Sequence, residues 1–207
     1  MSEKSNEEFK KFSIKTTTDY LKIFPKKATS KTVGGVKRKL TYDEQIINIE
    51  KSFEKIIAPN KTTTKPDELV SLVLEKVYEH DRSDREKIQK SYQDQKQTEM
   101  KIGALLERYI SSKGKDYGWA FTGECVESVD FVKKTDGKWT TLQIKTSSNT
   151  ENSSAKKVRD GTTILMWYRR NAKEGTYNWD EFPDIDLRKV LSEQGFREYV
   201  LKNFKSK

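Results

Sequence analysis

The sequence predicts an α/β fold, with a central mixed sheet flanked by helices and preceded by an N-terminal helical region. Three segments of the first half repeat apolar residues at helical spacing, whereas residues 119–145 alternate as strands do. The stretch 184–204 is again helix-prone and supplies one or two closing helices, broken near Gly195. Helices followed by strands and then helices in one chain indicate an α/β arrangement.

Residues 1–40 are rich in Lys and Thr and contain the pair Gly34-Gly35, which predicts a basic, loosely ordered arm. The cations of this arm suit contact with phosphates. A solvated tail explains the same composition equally well, so the sequence leaves the role of the arm open.

Residues 41–98 are predicted to form the N-terminal helical region. Thr41 and Glu44 have the spacing of a capping box and open its first helix. The second helix presents an apolar face for packing, formed by Leu69, Leu72, Val73 and Val77.

Residues 99–207 are predicted to form the core, packed with the helical region as one unit. A third helix, beginning near Ser83, carries its strongest apolar stripe around Leu106, with Glu107 among the apolar residues. Three strands follow, and TDGK supplies the turn between the second and third.

Length and charge limit the class of protein. The chain has 207 residues, enough for one domain with a sizeable core, and 41 Lys and Arg against 32 Asp and Glu give a formal net charge of +9. Such a surface attracts polyanions, so nucleic acid is the leading partner class. Because no apolar run could span a bilayer and no signal-peptide pattern is present, we expect a cytoplasmic protein without membrane association.

The counts of cysteine and histidine exclude several chemistries. Cys125 and His80 each stand alone in the chain, so an internal disulfide, a zinc-finger ligand set and a two-histidine nuclease site are excluded. We expect Cys125 to be a small buried hydrophobe and His80 a solvated residue at a helix end. Any hydrolysis would therefore use carboxylates, lysine and a hard cation.

An acid and a Gln-x-Lys stand on two successive predicted strands. Side chains alternate along a strand, so Gln143 and Lys145 share one face while Ile144 points to the other. If the strands pair across TDGK, Asp130 falls near the Gln143 and Lys145 pair. A carboxylate, an amide oxygen and an ammonium would then converge.

This grouping suits phosphodiester hydrolysis. A hard cation such as Mg²⁺ takes oxygen ligands, and Lys145 would hold the attacking water and stabilise developing charge. The candidate ligands are the side chains of Asp130, Gln143 and Glu107 and the main-chain carbonyl of Ile144. Glu107 would add a second carboxylate from the preceding helix, and the sequence leaves Glu124 and Glu127 open as alternatives.

The spacing of Asp130 and Gln143-Ile144-Lys145 resembles the PD-(D/E)xK nuclease core, with Val129 in place of proline and Gln143 in place of the second acid. Four stretches between residues 100 and 184 resemble the SinI-type family of type II restriction endonucleases. They are IGALLERYI, GECVESVDFV, WTTLQIKTSSNTENSSAKKVRDGTTILMWYRR and YNWDEFPD.

The resemblance implies a restriction-endonuclease-like core within residues 99–207, with Asp130, Gln143, Lys145 and Glu107 at its catalytic positions. It also implies a Mg²⁺-dependent homodimer that cuts double-stranded DNA, with GGWCC as the site of the family's namesake and cleavage after the first G. A companion DNA methyltransferase is expected in the host, although not as a binding partner.

The polar run after the third predicted strand is a candidate for base readout. Arg and Lys pair with guanine and Asn with adenine, and two arginines further on suit phosphate contacts. The candidate DNA-binding residues are Asn149, Asn152, Ser153, Ser154, Lys156, Lys157, Arg159, Arg169 and Arg170.

Two other functions fit the sequence. A DNA repair nuclease with the same core would act without sequence specificity or on branched DNA. A non-catalytic basic DNA-binding protein would carry Asp130 and Lys145 as an ordinary cross-strand ion pair. Gln143 in place of an acid is the best argument for the second alternative, because losing a negative ligand weakens affinity for a metal.

Overall fold

The structure is a computed structural model that describes residues 3–55, 68–148 and 163–203. Its helices are α1 (Glu3–Ile23), α2 (Tyr42–Lys55), α3 (Glu68–Tyr78), α4 (Arg82–Gly114), α5 (Ile185–Arg188) and α6 (Glu193–Asn203). Its strands are β1 (Ser30–Val33), β2 (Val36–Lys39), β3 (Trp119–Phe121), β4 (Phe131–Thr135), β5 (Lys138–Ser147) and β6 (Leu165–Arg170). The predicted α/β class is confirmed.

The main sheet has the strand order β3-β4-β5-β6 and is mixed. Strands β3, β4 and β5 are antiparallel, and β6 joins β5 in parallel. Asp136 and Gly137 connect β4 to β5, and both have positive φ, 49° and 78°. A two-residue turn with positive φ at both positions matches the twist of a β-hairpin, so the predicted TDGK turn is confirmed.

Helices cover both faces of this sheet. On one face, Leu106 and Ile110 of α4 pack in the same buried cluster as Leu142 of β5. On the other, Tyr20 of α1 and Ile49 of α2 pack with Val132. Alternation along the strands produces this division, since successive side chains point to opposite faces. The apolar stripe predicted on α4 is therefore part of the core.

Residues 3–40 are ordered, so the prediction of a loosely ordered arm is wrong for them. They form α1 and the β1–β2 hairpin, and Phe9 of α1 is buried. The buried face of α1 also uses small polar side chains, which the composition hid. Ser13 accepts a hydrogen bond from the amide of Phe121 at 3.2 Å, and Thr17 donates to its carbonyl at 3.4 Å. Both side chains thus hydrogen-bond the backbone of β3.

The capping box at the start of α2 is present. The Thr41 amide donates to Glu44 at 2.9 Å, and the Glu44 amide donates to the Thr41 hydroxyl at 3.4 Å. Arg38 adds two hydrogen bonds of 2.8 Å to the same carboxylate, and Lys31 pairs with it. These donors, Arg38 first, hold the pKa of Glu44 well below its usual range. Glu44 therefore joins the helix to the hairpin before it.

The apolar face of α3 is exposed, so the prediction that it packs is wrong within the single chain. Leu69 and Val77 are 64% and 65% exposed. Polar contacts join α3 to the first half of α4, where Arg85 pairs with Glu75 at 3.0 Å. None of the helices in the described ranges is both long enough and apolar enough to cross a membrane.

The closing helices break earlier than predicted. The chain leaves α5 at Arg188 and re-enters helix at Glu193, so Gly195 lies inside α6. Ser192 explains the restart, because its hydroxyl accepts a hydrogen bond from the Gly195 amide at 3.0 Å. A side-chain oxygen in this position satisfies an amide of the first helical turn that has no partner within the helix.

Candidate active site

Asp130 lies directly before β4, at the end of the β4–β5 ladder. Phe131 faces Leu142 as the last pair of that ladder, and the amide of Asp130 donates to the Leu142 carbonyl at 2.9 Å. The carboxylate of Asp130 accepts a hydrogen bond of 2.7 Å from the amide of Ile144. Asp130 is thereby fixed beside the Gln143-Ile144-Lys145 segment.

The Gln-x-Lys segment lies in the second half of β5, between β4 and β6. Ile144 is buried in the core against α4, and alternation directs Gln143 and Lys145 to the opposite face. Gln143 is 5% exposed, whereas Lys145 is partly exposed. Part of Lys145 is therefore open to solvent, whereas Gln143 is enclosed.

Glu107 of α4 shares one electrostatic environment with Asp130 and Lys145. Burial raises the pKa of Glu107 well above its usual value, and the negative charges of Asp130 and Glu124 raise it further, while Lys145 opposes both effects. Burial also raises the pKa of Asp130 to about 6, against the Ile144 amide and the Lys145 charge. We call Glu107, Asp130, Gln143 and Lys145 the Asp130 site.

The two carboxylates of the Asp130 site are short of positive partners. Burial is the main cause of the raised pKa of both groups, and the charge of Lys145 does not offset it. Within the described residues no group of three or more His, Cys, Asp or Glu is arranged to hold a metal ion. The donors here are two carboxylates, an amide and a main-chain carbonyl, and oxygen donors with excess negative charge fit a hard divalent cation.

The two alternative acids lie in different surroundings. Glu124 is exposed in the loop after β3, and its charge contributes to the raised pKa of Glu107. Glu127 is also exposed and pairs with Lys39 of the β1–β2 hairpin at 3.4 Å. Electrostatics therefore links Glu124, and not Glu127, to the Asp130 site.

Most candidate residues for base readout lie outside the described residues, namely Asn149, Asn152, Ser153, Ser154, Lys156, Lys157 and Arg159. The guanidinium of Arg169 donates to both carboxylate oxygens of Glu193 at 2.8 Å and lies over the rings of Tyr177 and Phe196. A phosphate contact by Arg169 would have to displace this ion pair. Arg170 is partly exposed at the end of β6. The DNA-binding roles of both arginines stay predictions.

Sequence reasoning missed a second carboxylate cluster on the same sheet. One oxygen of Asp184 accepts from the indole of Trp119 at 2.8 Å and from the ammonium of Lys133 at 2.7 Å. Its other oxygen caps α5, accepting from the amides of Asp186 and Leu187. An acid directly before a short helical segment was the available signal. We call Trp119, Lys133 and Asp184 the Asp184 cluster.

Comparisons with known proteins identify the family of this chain. The family model of the SinI restriction endonuclease matches residues 5–206. The type II restriction enzyme Eco47I of Escherichia coli is 36% identical over 200 residues, which cover 94% of this chain and 85% of that enzyme. The type II restriction enzyme SinI of Salmonella infantis is 34% identical over 187 residues, covering 87% and 81%. The resemblance expected from the motifs is confirmed: the chain belongs to the SinI restriction endonuclease family.

Proposed function

We propose that this protein is a type II restriction endonuclease that hydrolyses phosphodiester bonds of double-stranded DNA with Mg²⁺. The observation that carries the proposal is the position of Asp130, whose carboxylate is held by the Ile144 amide at 2.7 Å beside the Gln143-Ile144-Lys145 segment. Glu107 and Lys145 are near enough for their charges to interact with that of Asp130. Family membership supports the reaction class, and the basic surface supports the substrate.

The side chains of Asp130, Gln143 and Glu107, together with the Ile144 carbonyl, would hold the cation. When bound, Mg²⁺ polarises a phosphoryl oxygen and lowers the pKa of a coordinated water. The Ile144 amide fixes the Asp130 carboxylate through its 2.7 Å hydrogen bond, so this ligand is oriented before DNA arrives.

Lys145 would act on the DNA itself. The residue is partly exposed, and its charge already interacts favourably with both carboxylates, whose pKa values it lowers. From this position it would orient the attacking water and stabilise the charge that develops on the phosphate oxygens. Once a cation neutralises the carboxylates, the lysine is free to serve the phosphate.

The target is proposed to be a short palindrome similar to GGWCC, as the family resemblance implies. A palindrome presents two equivalent strands and one active site cuts one of them, so a two-fold homodimer is the simplest enzyme. The exposed apolar side chains of α3, among them Leu69 and Val77, offer a surface that a second copy would cover. The companion methyltransferase would protect the host DNA.

Digestion of a phage genome of known sequence tests the proposal. We expect discrete fragments whose sequenced ends share one palindrome, and no cleavage in EDTA. Lys145→Ala should lose cleavage and keep DNA binding, whereas Lys138→Ala, at the far end of β5, should behave as wild type. A smear, or preference for branched DNA, would indicate a repair nuclease. Equal behaviour of wild type and Lys145→Ala would indicate a binding protein without catalysis.

Sedimentation equilibrium tests the homodimer. Leu69→Glu with Val77→Glu places charges on the exposed face of α3 and should shift a dimer toward monomer without lowering the melting temperature of the monomer. The matched control is Tyr92→Glu on α4, also exposed. A wild-type protein that sediments as a monomer with or without DNA would contradict the proposal.

A further inference from the structure

We propose that the basic hairpin, residues 30–39, enters the major groove of duplex DNA beside the phosphate held at the Asp130 site. This inference rests on the proposed function and names the element that would grip its substrate. Four features of the hairpin support it, namely its charge, its shape, the anchoring of its base and its exposed tip.

Positive charge is concentrated in and before the basic hairpin. Residues 22–39 contain seven Lys and Arg and no Asp or Glu, while the whole chain has a net charge of +9. Glu44 and Glu127 neutralise cations near its base. Lys37, further out, is exposed and has no ion pair within the described ranges. The outer half of the hairpin is therefore free to contact a polyanion.

The shape of the basic hairpin suits a groove. Strands β1 and β2 pair from Ser30 opposite Lys39 to Val33 opposite Val36, and they form a sheet of their own. Four residues per strand extend about 13 Å at the usual rise of a strand. The major groove is roughly 12 Å wide and 8.5 Å deep and admits a two-stranded ribbon. Residues 32–37 are all exposed, so the outer part of the hairpin is open to a ligand.

The base of the basic hairpin is tied to the segment that leads into Asp130. The Thr29 amide donates to the Cys125 carbonyl at 2.8 Å, and the Glu127 amide donates to the Lys27 carbonyl at 2.9 Å. Asp130 follows Glu127 by three residues, at most about 10 Å of extended chain. The base of the hairpin is therefore held close to the site, and the proposal places a duplex bound at the site along the hairpin.

The tip of the basic hairpin is apolar and lacks bulk. Val33 and Val36 form its last cross-strand pair and are 49% and 67% exposed. Gly34 and Gly35 lie between these valines, with φ of 56° and 82°, and a Cβ at either position would meet nothing within 4 Å. The absence of side chains lets a base edge approach the backbone closely, while valine methyl groups suit the thymine methyl in the major groove. Lys37 beside the tip, and the excess of Lys and Arg over residues 22–39, favour DNA over a protein partner for this tip.

The β4–β5 hairpin provides a matched control. It has the same two-residue turn, and Lys138 follows that turn as an exposed lysine. The turn lies at the opposite end of β4 from Asp130. Lys138→Ala therefore removes an equivalent surface charge away from the proposed DNA path.

DNA affinity is measured by fluorescence anisotropy in the Lys145→Ala background, with Ca²⁺ present, over a range of salt concentrations. The probe is a labelled phage duplex that spans a cleavage point or, if wild type cuts nothing, an arbitrary duplex of the same length. Lys37→Ala should weaken binding about 3- to 10-fold and lower the salt slope by about 1, as loss of one phosphate contact does. Val33→Ser with Val36→Ser should reduce the preference for the cleaved sequence about 3- to 10-fold.

Dimethyl sulfate, which methylates guanine N7 in the major groove, locates the contact. The Lys145→Ala protein should protect guanines that remain reactive when Val33→Ser and Val36→Ser are added. Adding Lys138→Ala instead should leave all of these guanines protected. Unchanged affinity, salt slope and protection in the hairpin variants would overturn the inference, even if wild type cleaves. If wild type does not cleave DNA but binds it through the hairpin, only the proposed function is contradicted. If the protein binds no DNA at all, the proposed function and this inference are both contradicted.

Discussion

Asp130, directly before β4, and Asp184, the N-cap of α5, are two partly buried carboxylates whose pKa values move in opposite directions. Burial favours the protonated form of both. At Asp184, hydrogen bonds from the Leu187 amide, Lys133 and Trp119 outweigh burial, so its pKa is lowered. At Asp130 burial prevails over one amide and one lysine charge, and its pKa is raised to about 6.

The difference lies in how many donors each carboxylate has. Asp184 accepts four hydrogen bonds, two on each oxygen, and its side chain is 10% exposed. Within the described residues the carboxylate of Asp130 accepts one, from Ile144. A carboxylate with satisfied oxygens stabilises the fold, whereas one with unused lone pairs beside a second acid is suited to bind a cation. Asp184 is therefore structural and Asp130 is the functional candidate.

The largest effect is expected for Asp130→Asn, which removes the charge and keeps the shape. Cleavage should fall by at least about 10³-fold because both a ligand and its charge are lost. The amide can still accept the hydrogen bond from Ile144, so the fold should persist. Divalent cations should raise the melting temperature of wild type and not of this variant. Normal cleavage by Asp130→Asn would show that the two carboxylates differ in environment and not in role.

Asp184→Ala should be the most destabilising change in this comparison. It removes the cap of α5 and leaves the Lys133 ammonium and the Trp119 indole without their acceptor, a loss of about 2–4 kcal/mol in the free energy of unfolding. The melting temperature should fall by roughly 5–15 °C. At a temperature where the variant is folded, cleavage per folded molecule should stay near wild type. A selective loss of cleavage would move Asp184 into the active site.

Glu107→Gln separates the two carboxylates of the Asp130 site. Cleavage should fall about 10- to 100-fold, because an outer or secondary ligand contributes less than the principal one. Without divalent cations the variant should be slightly more stable than wild type above neutral pH, since it removes a buried charge repelled by Asp130. Thermal unfolding in EDTA checks this point, and a lower melting temperature than wild type would argue against repulsion between the two acids.

The smallest effect concerns the pH dependence of Asp184→Asn. Because folding lowers the pKa of Asp184, its ionised form stabilises the protein above its unfolded pKa of about 3.9, and this contribution is lost as the pH falls through the lower folded value. The difference in unfolding free energy between wild type and Asp184→Asn should therefore be larger at pH 7 than at pH 3. Urea titrations at both pH values measure it, and an equal difference would show that charge is irrelevant at this position.

Local signals in the sequence predicted most elements of the core. The TDGK turn, the Thr41 and Glu44 capping box and the apolar stripe of α4 are written in neighbouring residues, so each could be inferred without tertiary contacts. The folded structure of residues 3–40 could not be inferred in this way. The buried face of α1 includes Ser13 and Thr17, whose hydrogen bonds to Phe121 span more than a hundred residues.

Dependence on contacts between distant residues also limited what could be predicted about sites and surfaces. Asp130 and the Gln143-Ile144-Lys145 segment were predicted as a group because strand alternation and one turn bring them together. The hydrogen bond from the Ile144 amide to Asp130, the repulsion between the charges of Glu107 and Asp130, and the Asp184 cluster depend on packing between elements. The exposure of the apolar face of α3 could not be predicted either. Periodicity shows that a helix face is apolar, but it does not show which element packs against that face.

By itself the sequence determined the order of helices and strands, the family and the residue types available for chemistry, since these follow from local spacing and motifs. Only the tertiary structure decided which carboxylate is satisfied and which is not. The reason is physical: the pKa of a carboxyl group depends on its burial and on donors and charges within a few ångströms. For Asp130 these are Ile144 and Lys145, and for Asp184 they include Lys133 and Trp119 as well as the neighbouring Leu187 amide, so residues distant in the chain take part at both positions.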